Sequence, residues 1–399
     1  MTTQPPLDDA PLRIDDDDRY GRLRLIPWWR QERLAAARIL VVGAGALGNE
    51  VLKNLALVGV GTTYVIDLDE VEPSNLSRSV LFRSEDGGQS KARVAARRAG
   101  ELNPEIALVP IHGDVITDVG LGLFAHVDLV IGCLDNREAR LWVNRQCWKV
   151  GVPWIDAGIQ EIQGVVKVFT PPVSACYECT MTERDYQLLN LRYSCPLLKR
   201  DDILAGKVPT APTIASMMAA LQVQEALKLL HGMAVEGGSA MVFNGVGNQF
   251  YTTKLPFRED CLSHETYPKP IELPLGRSAT IRSLFDAAAA EGLRRPLALG
   301  LDRELVEAVE CPRCGGRREV MRPRTAVAQS EAECPTCREP GRPILLSAIA
   351  EDSPLAARTL AEVGIPPYDV VRVDGGGSSR FFLLAGDRDG LASGWEGGR

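Results

Sequence analysis

Residues 38–48 read RILVVGAGALG, and this stretch decides the fold. Arg38 to Val42 is the kind of short apolar run that forms a buried strand, and apolar residues recur at helical spacing through about residue 57. Between them Gly43, Gly45 and Gly48 form the pattern G-x-G-x-x-G. A glycine turn between a strand and a helix lets backbone N–H groups hold a phosphate. The stretch therefore predicts an α/β nucleotide-binding fold, although a purely structural glycine turn would also fit it.

Strand-like and helix-like segments continue to alternate downstream. A helix is predicted over 91–102 and a core helix over 213–231. Strands are predicted at 63–68, 107–111, 127–133, 154–159 and 164–170, with a strand hairpin at 240–257. This alternation predicts a doubly wound, mostly parallel sheet of Rossmann type, with ligands bound at the carboxyl ends of its strands.

Composition excludes some functions and limits the compartment. A chain of 399 residues with 45% apolar content is long enough for more than one domain. Its formal charge of −7 argues against binding nucleic acid through bulk charge. The polar, acidic start does not resemble a signal peptide, and apolar runs are too short to span a membrane. We therefore expect a cytoplasmic protein with no nucleic-acid or membrane partner.

Changes in sequence character predict the domain organisation. An acidic N-terminus, 1–18, is expected to be flexible, and 19–267 to form the nucleotide-binding domain, in which 180–208 is a charged crossing segment. From 268 to 390 we predict a small α+β domain with helices at 278–291 and 355–363 and a closing hairpin around GGGSS at 375–379. A flexible tail is expected over 391–399.

Five short motifs surround the glycine turn. They read RYGR at 19–22, DLD at 67–69, SNLSR at 74–78, GQSK at 88–91 and CLDN at 133–136. In order and spacing they resemble the ThiF/MoeB and ubiquitin-activating enzyme superfamily, over residues 19 to about 265. Ser79 departs from the pattern, since the family usually has Gln there. The resemblance implies that 19–267 is an adenylation domain.

Adenylation explains the residue types in these motifs. Attack of a carboxylate on the α-phosphorus of ATP builds negative charge on the phosphates, which fixed cations and a metal stabilise. Arg78 and Lys91 supply cations, and Asp135 at a strand end suits Mg²⁺. Asp67 is placed to bind ribose hydroxyls. A dehydrogenase, the alternative for a glycine turn, needs none of Arg78, Lys91 or Asp135.

The remaining nucleotide-site residues come from the resemblance. It implies that Asp69, Asn75 and Asn136 belong to the ATP site with the three glycines. It also implies that Arg22 reaches the γ-phosphate in the neighbouring subunit of a symmetric homodimer.

Eight metal-ligand candidates fall into two groups. Cys311, Cys314, Cys334 and Cys337 have zinc-ribbon spacing, C-x2-C-x19-C-x2-C, within 308–340. By resemblance to the family's zinc site, Cys176 and Cys179 pair with a later segment that holds Cys261 and His264. Here one thiolate is replaced by imidazole, and the alternative is that His264 is a surface histidine. We expect two zinc ions.

Three cysteines remain. Cys133 and Cys147 lie in an apolar strand and a probable helix, so we interpret both as core residues. Cys195 lies in the crossing segment, which in the resembled family carries the cysteine that takes the acyl group. Neighbouring cations such as Arg192 would favour its thiolate. The alternative is a structural cysteine, and Pro196 departs from the Thr usual after the family's cysteine.

Within this superfamily, the sequence most resembles activating enzymes for ubiquitin-like proteins. We expect ATP- and Mg²⁺-dependent adenylation of the partner's C-terminal carboxylate, a thioester on Cys195, and transfer to a conjugating enzyme. Residues 268–390 weakly resemble the ubiquitin-fold domain that recruits that enzyme. The alternatives are a MoeB/ThiF-like sulfur-carrier adenylyltransferase without the thioester step, a catalytically silent scaffold subunit, and a dehydrogenase.

Overall fold

The computed structural model describes residues 17–187 and 209–394. An eight-stranded sheet in the order β3-β2-β1-β4-β5-β6-β7-β8 dominates the first two-thirds of the chain. Its strands are β1 Arg38–Val42, β2 Thr62–Asp67, β3 Ala107–His112, β4 Leu129–Gly132, β5 Trp154–Gln160, β6 Gln163–Phe169, β7 Ser239–Asn244 and β8 Gln249–Lys254. The strands from β3 to β5 in this order run parallel, and β6, β7 and β8 are antiparallel. The predicted fold class is confirmed.

Helices cover both faces of this sheet. Side chains of β1 alternate between two cores: Ile39 and Val41 face one, Leu40 and Val42 the other. The first core is closed by α2, α3 and α6, and the second by α4 and α5. The helices are α1 Gln31–Ala36, α2 Ala46–Val58, α3 Lys91–Leu102, α4 Leu121–His126, α5 Arg137–Val150 and α6 Pro212–Leu230.

Local sequence explains where two of these helices begin and end. The Ser90 hydroxyl accepts a hydrogen bond from the Arg93 N–H and caps α3, and Asn136 caps α5 through the Ala139 N–H at 2.8 Å. α5 ends at Gly151, whose φ of +73° is the left-handed conformation that glycine adopts without strain. Both N-terminal caps lie at the carboxyl edge of the sheet, where the predicted site residues are.

A second, mostly antiparallel sheet follows. Its order is β11-β10-β13-β14-β9, with β12 also paired to β10, and β9 runs parallel to β14. One face is covered by α7 (Ile281–Ala290), which buries residues at helical spacing. The strands are β9 Ile271–Leu273, β10 Leu297–Glu310, β11 Arg317–Pro323, β12 Arg342–Ala350, β13 Val370–Gly375 and β14 Ser378–Leu384.

The second sheet packs against the α4 and α5 side of the first. The Asp369 carboxylate accepts a hydrogen bond of 2.6 Å from the Leu121 N–H at the start of α4. Lys149 on α5 pairs with Asp302 at 2.5 Å, and the rings of Tyr267 and Phe381 lie 4.1 Å apart. These contacts hold the two sheets together through both polar and apolar groups.

The predicted helix over Leu355 to Val363 is wrong. Only a short 3-10 turn, Pro354–Ala357, forms there. The backbone N–H groups of Leu360 and Ala361 donate to the carbonyls of Ala279 and Arg277 instead of to their own preceding turn. Tertiary hydrogen bonding thus replaced the helix that the apolar spacing indicated.

Residues at both ends of the described chain make contacts within the fold. Leu391, the first residue of the predicted tail, is buried and lies within a 3-10 segment, Ala385–Ala392. Asp18 accepts hydrogen bonds from the Tyr20 N–H and from the Arg24 guanidinium.

In the ranges 17–187 and 209–394, no helix has the length and apolar character needed to cross a bilayer.

Candidate nucleotide and metal sites

The three glycines after β1 play different parts. A Cβ added to Gly43, whose φ is +99°, would lie 2.4 Å from the Cys133 carbonyl oxygen, and one added to Gly48 would lie 2.0 Å from the Gly43 oxygen. A Cβ added to Gly45 would meet no described atom within 4 Å. The first and third glycines are therefore required by the turn itself, whereas the second faces space that a phosphate can enter.

Asp67, the last residue of β2, clamps this loop. One carboxylate oxygen accepts a hydrogen bond of 2.7 Å from the Ala44 N–H, and the other accepts one of 2.8 Å from the Asp69 N–H. Burial, with the Asp69 charge, raises the pKa of Asp67. A partly buried carboxylate at this strand end can still accept bonds from a ribose, since each oxygen carries a second lone pair.

Lys91 is brought to the same edge by the start of α3. Its Nζ lies 2.9 Å from an Asp69 carboxylate oxygen, and its side chain is only 12% exposed. Burial acts to lower the pKa of Lys91, but the Asp67 and Asp69 carboxylates outweigh it and the pKa is raised. Lys91 is therefore a positively charged side chain that Asp69 holds in place near the glycine loop. A cation fixed in this way can stabilise the negative charge of a triphosphate.

The SNLSR segment forms a tight turn beside this loop. Asn75 is buried, and its side-chain oxygen accepts a hydrogen bond of 2.9 Å from the Glu72 N–H. Its amide nitrogen would therefore be the atom that meets a ligand. Arg78 donates to the Ser74 carbonyl at 2.7 Å. This bond shapes the turn that presents its guanidinium.

Asp135 and Asn136 follow β4, next to the glycine loop. The Cys133 N–H donates to the Val42 carbonyl at 2.7 Å, which joins the end of β4 to the end of β1. Asp135 is exposed, and one of its oxygens accepts from the Asn136 amide at 3.2 Å. An accessible carboxylate beside a phosphate loop fits Mg²⁺, which takes one or two carboxylates and completes its shell with phosphate and water.

Arg22 is not part of this cluster within one chain. It is exposed and precedes the 3-10 turn Leu23–Leu25. Within the described residues, no hydrogen bond joins the Arg22 side chain to the glycine loop. The structure thus brings together the glycines, Asp67, Asp69, Lys91 and the segment around Asp135, and leaves Arg22 apart.

Asn49 is a site residue that the sequence reasoning missed. It is fully buried in α2, and its amide donates to the carbonyls of Ala44 and Gly45 at 2.7 and 3.0 Å. Its oxygen accepts from the Leu81 N–H at 2.9 Å. Asn49 thereby ties the glycine loop to the chain after Arg78. The available signal was an amide residue directly after the last glycine of the motif.

The first metal-ligand group, Cys176, Cys179, Cys261 and His264, comes together with all ligand atoms within 4.8 Å of one another. Cys179 Sγ lies 3.4 Å from His264 Nε2. The imidazole is stacked between Trp148 at 4.8 Å and Phe257 at 4.9 Å. His264 is therefore held in the cluster, and the group could hold a tetrahedral zinc ion.

The surroundings of this group also suit a cation. Burial raises the pKa of Cys176 and of Cys261, so these thiols need a metal to be thiolates. The buried Glu178, between the first two cysteines, is paired with Arg145 at 2.8 Å.

The second group, Cys311, Cys314, Cys334 and Cys337, also has its sulfur atoms within 4.8 Å of one another. It lies at the end of the β10–β11 hairpin, and Cys314 is exposed. Backbone N–H groups of Cys337 and Thr336 lower the pKa of Cys334 to about 6. This group could hold zinc as well, but at the periphery of the molecule.

The other cysteines are not nucleophiles, as far as the structure describes them. Cys147 is fully buried and Cys133 is half-buried, and burial raises the pKa of both thiols. Cys195, the predicted nucleophile, lies outside the described residues, as do residues 188–208 around it.

Comparison with known proteins agrees with this fold. Residues 18–263 match the ThiF family, more than half of the chain, so the chain belongs to the ThiF family within the ThiF/MoeB and ubiquitin-activating enzyme superfamily. The Escherichia coli sulfur carrier protein ThiS adenylyltransferase is 31% identical over 58% of this chain and 87% of its own length. SUMO-activating enzyme subunit 2 of Dictyostelium discoideum is 41% identical over 37% of this chain.

These matches differ in how much of each relative they cover. The chain spans 22% of the length of the Dictyostelium protein. The crystal structure of E. coli MccB with ATP superposes on 63% of this chain and 75% of MccB, with a TM-score of 0.52 and 24% identity. That likeness supports the fold, and the chemistry rests on the side chains described above.

Proposed function

We propose that this protein adenylates the C-terminal carboxylate of a ubiquitin-like protein at the carboxyl edge of its first sheet. One observation carries the proposal. The glycine loop leaves free space at Gly45, and at the same edge of the sheet the Lys91 ammonium is fixed by the Asp69 carboxylate, with 2.9 Å between Nζ and the carboxylate oxygen. The relatives that match include a sulfur-carrier adenylyltransferase and a SUMO-activating subunit, and both names describe activation of small proteins.

Each site residue then has a defined task. N–H groups of the glycine loop and the start of α2 bind the phosphates, and Asp67 orients the ribose. Lys91 and Arg78 stabilise the negative charge that grows as the partner's carboxylate oxygen bonds to the α-phosphorus. The bond to the β-phosphate breaks and pyrophosphate leaves with its electron pair. Asp135 would hold Mg²⁺, which neutralises charge on the leaving pyrophosphate.

The second step belongs to Cys195. Its thiolate would attack the acyl carbon of the adenylate, forming a thioester and releasing AMP. A conjugating enzyme's cysteine would then take the acyl group, with residues 268–390 as its recruiting domain. Arg22 would complete the site across a homodimer, and the two cysteine-rich groups would hold zinc. All of this would take place in the cytoplasm.

A second candidate is adenylation without a thioester on this protein: a sulfur nucleophile from a separate sulfur donor would attack the acyl carbon of the adenylate and release AMP. The match over 87% of the ThiS adenylyltransferase favours it. The two candidates share the adenylation step, and only the first continues through a thioester on Cys195 and transfer to a conjugating enzyme.

The test is exchange of labelled pyrophosphate into ATP with a panel of ubiquitin-like proteins, followed by a non-reducing gel. Exchange with a thiol-sensitive adduct that disappears in Cys195→Ala supports the first candidate. Exchange with no adduct supports the second. Lack of exchange with every partner, by protein that is folded and contains zinc, would reject both.

A further inference from the structure

Helix α5 begins at the nucleotide edge and ends at the first zinc group. Because a helix turns once in 3.6 residues, side chains four apart lie on one face. Asn136, Arg140, Asn144 and Trp148 have this spacing. Asn144 accepts a hydrogen bond of 2.9 Å from the Tyr177 N–H, and Trp148 stacks on His264. The far end of α5 is thereby anchored to the chain that carries the zinc ligands.

Arg140, in the middle of this face, is bonded to the turn that carries Asp135. Its Nη2 donates to the Leu134 carbonyl at 2.5 Å and to the Ala157 carbonyl at 2.9 Å. Its Nε donates to an Asp156 carboxylate oxygen at 3.0 Å. Leu134 directly precedes Asp135, so one guanidinium joins the candidate metal ligand's turn to β5.

Burying this charged guanidinium costs desolvation free energy, which its hydrogen-bond and ion-pair partners must offset. The side chains of Arg140 and Asp156 are 15% and 5% exposed. Buried ion pairs of this kind often contribute little net stability. The Leu134 carbonyl, the Ala157 carbonyl and the Asp156 carboxylate nevertheless match the planar set of N–H donors of a guanidinium. A lysine ammonium cannot reproduce that geometry. The pair therefore fits a role in fixing geometry.

We propose that Arg140 is a positioning residue for Asp135. By holding the Leu134 carbonyl against β5, it fixes the turn so that the Asp135 carboxylate faces the Mg²⁺-bound triphosphate. No substrate contact is assigned to Arg140 itself. This inference rests on the proposed function, because it concerns the Mg²⁺ site of the same adenylation reaction.

The test compares ATP binding with and without Mg²⁺, by calorimetry on the full-length chain. In Arg140→Lys, affinity for ATP with Mg²⁺ falls about 10- to 100-fold, the usual effect of losing a residue that orients a metal ligand. Affinity for ATP in EDTA is retained, because the glycine loop and Lys91 are untouched. In Asp135→Asn the same selective loss appears. The double variant loses no more than Asp135→Asn alone, because both act on one carboxylate.

Arg303 provides a matched control. It is also a buried arginine, bonded to the Asp369 carboxylate at 3.1 Å and to the carbonyls of Ile116 and Val119. Arg303→Lys lowers the melting temperature as Arg140→Lys does, but it keeps the Mg²⁺ preference. Asp156→Asn, which leaves the Leu134 bond in place, gives a smaller loss and covers the case in which Arg140→Lys does not fold.

The outcomes separate this inference from the proposed function. If the wild-type protein showed no Mg²⁺-dependent affinity for ATP, the proposed function would fail, and this inference with it. If the wild type showed that affinity while Arg140→Lys and Asp156→Asn kept it in full, only the positioning role would be overturned. An additive loss in the double variant would overturn it as well.

Discussion

The two sheets of this protein build their candidate sites in opposite ways. In the first, parallel strands end at one edge, and residues from distant parts of the chain meet there: the glycine loop, Asp67, Lys91 and Asp135. In the second, antiparallel strands carry a cysteine group formed by two short turns, Cys311 to Cys314 and Cys334 to Cys337. The family match ends at residue 263, before the second sheet begins.

This difference predicts how many functions a single substitution in each site should affect. A site at a parallel edge depends on many segments, so one substitution can disable it without altering the fold. A cysteine group on a peripheral hairpin depends on its own turns, so it can fail alone. The predictions below test that contrast through effects of decreasing size on the nucleotide site.

The largest effect is expected for Lys91→Met. Removing the held ammonium takes away a cation that stabilises the charge growing on the phosphates, so pyrophosphate exchange should fall about 10²- to 10³-fold. The control is Lys228→Met on α6, where Lys228 pairs with Glu225. Equal activity in the two variants would show that the parallel edge is not the site of nucleotide chemistry.

The next largest effects are expected for alanine substitutions at two glycines of the phosphate loop, Gly48 and Gly45. Gly48→Ala places a Cβ against the Gly43 carbonyl, so the free energy of unfolding should fall by about 1–3 kcal/mol, as in overpacked cores. Gly45→Ala meets no described atom within 4 Å and should keep that stability, while its affinity for ATP drops. Urea denaturation and calorimetry measure the two quantities. The reverse pattern would contradict an open phosphate position at Gly45.

A smaller effect is expected where the sheets meet. Asp302→Asn removes the partner of Lys149, whose side chain is 11% exposed, and should lower the free energy of unfolding by about 1 kcal/mol. Glu304→Gln, which breaks the pair of Glu304 with Arg324, is the control at a site away from α5. A loss of ATP affinity in Asp302→Asn would mean that the two sheets are not independent.

The smallest effect on the nucleotide site is expected for Cys314→Ser. Metal analysis should show the loss of one zinc ion of about two per chain, since tetrahedral thiolate sites need all four ligands. Pyrophosphate exchange should change by less than about twofold, because the hairpin belongs to the other sheet. Cys176→Ser is the contrasting variant: its cluster is joined to α5, so both zinc and exchange should fall. Equal losses in the two variants would break the comparison.

Sequence reasoning succeeded where the pattern is local. The strand, glycine turn and helix over 38–58 were predictable because the apolar run of the strand and the helical spacing of apolar residues are each visible within a few residues. The cysteine groups were predictable by spacing and family resemblance. The helix at 355–363 was not, because bonds to Ala279 and Arg277 decided that segment. Asn49 and Arg140 were missed because most of the groups that they bond to are backbone groups, which the sequence does not identify.

The most direct test of the central claim is a calorimetric titration of the full-length chain with ATP and Mg²⁺, beside an identical titration with NAD. The account predicts saturable ATP binding that weakens strongly in Lys91→Met, and no comparable binding of NAD. Binding of NAD in preference to ATP, or ATP binding that ignores the loss of Lys91, would contradict it.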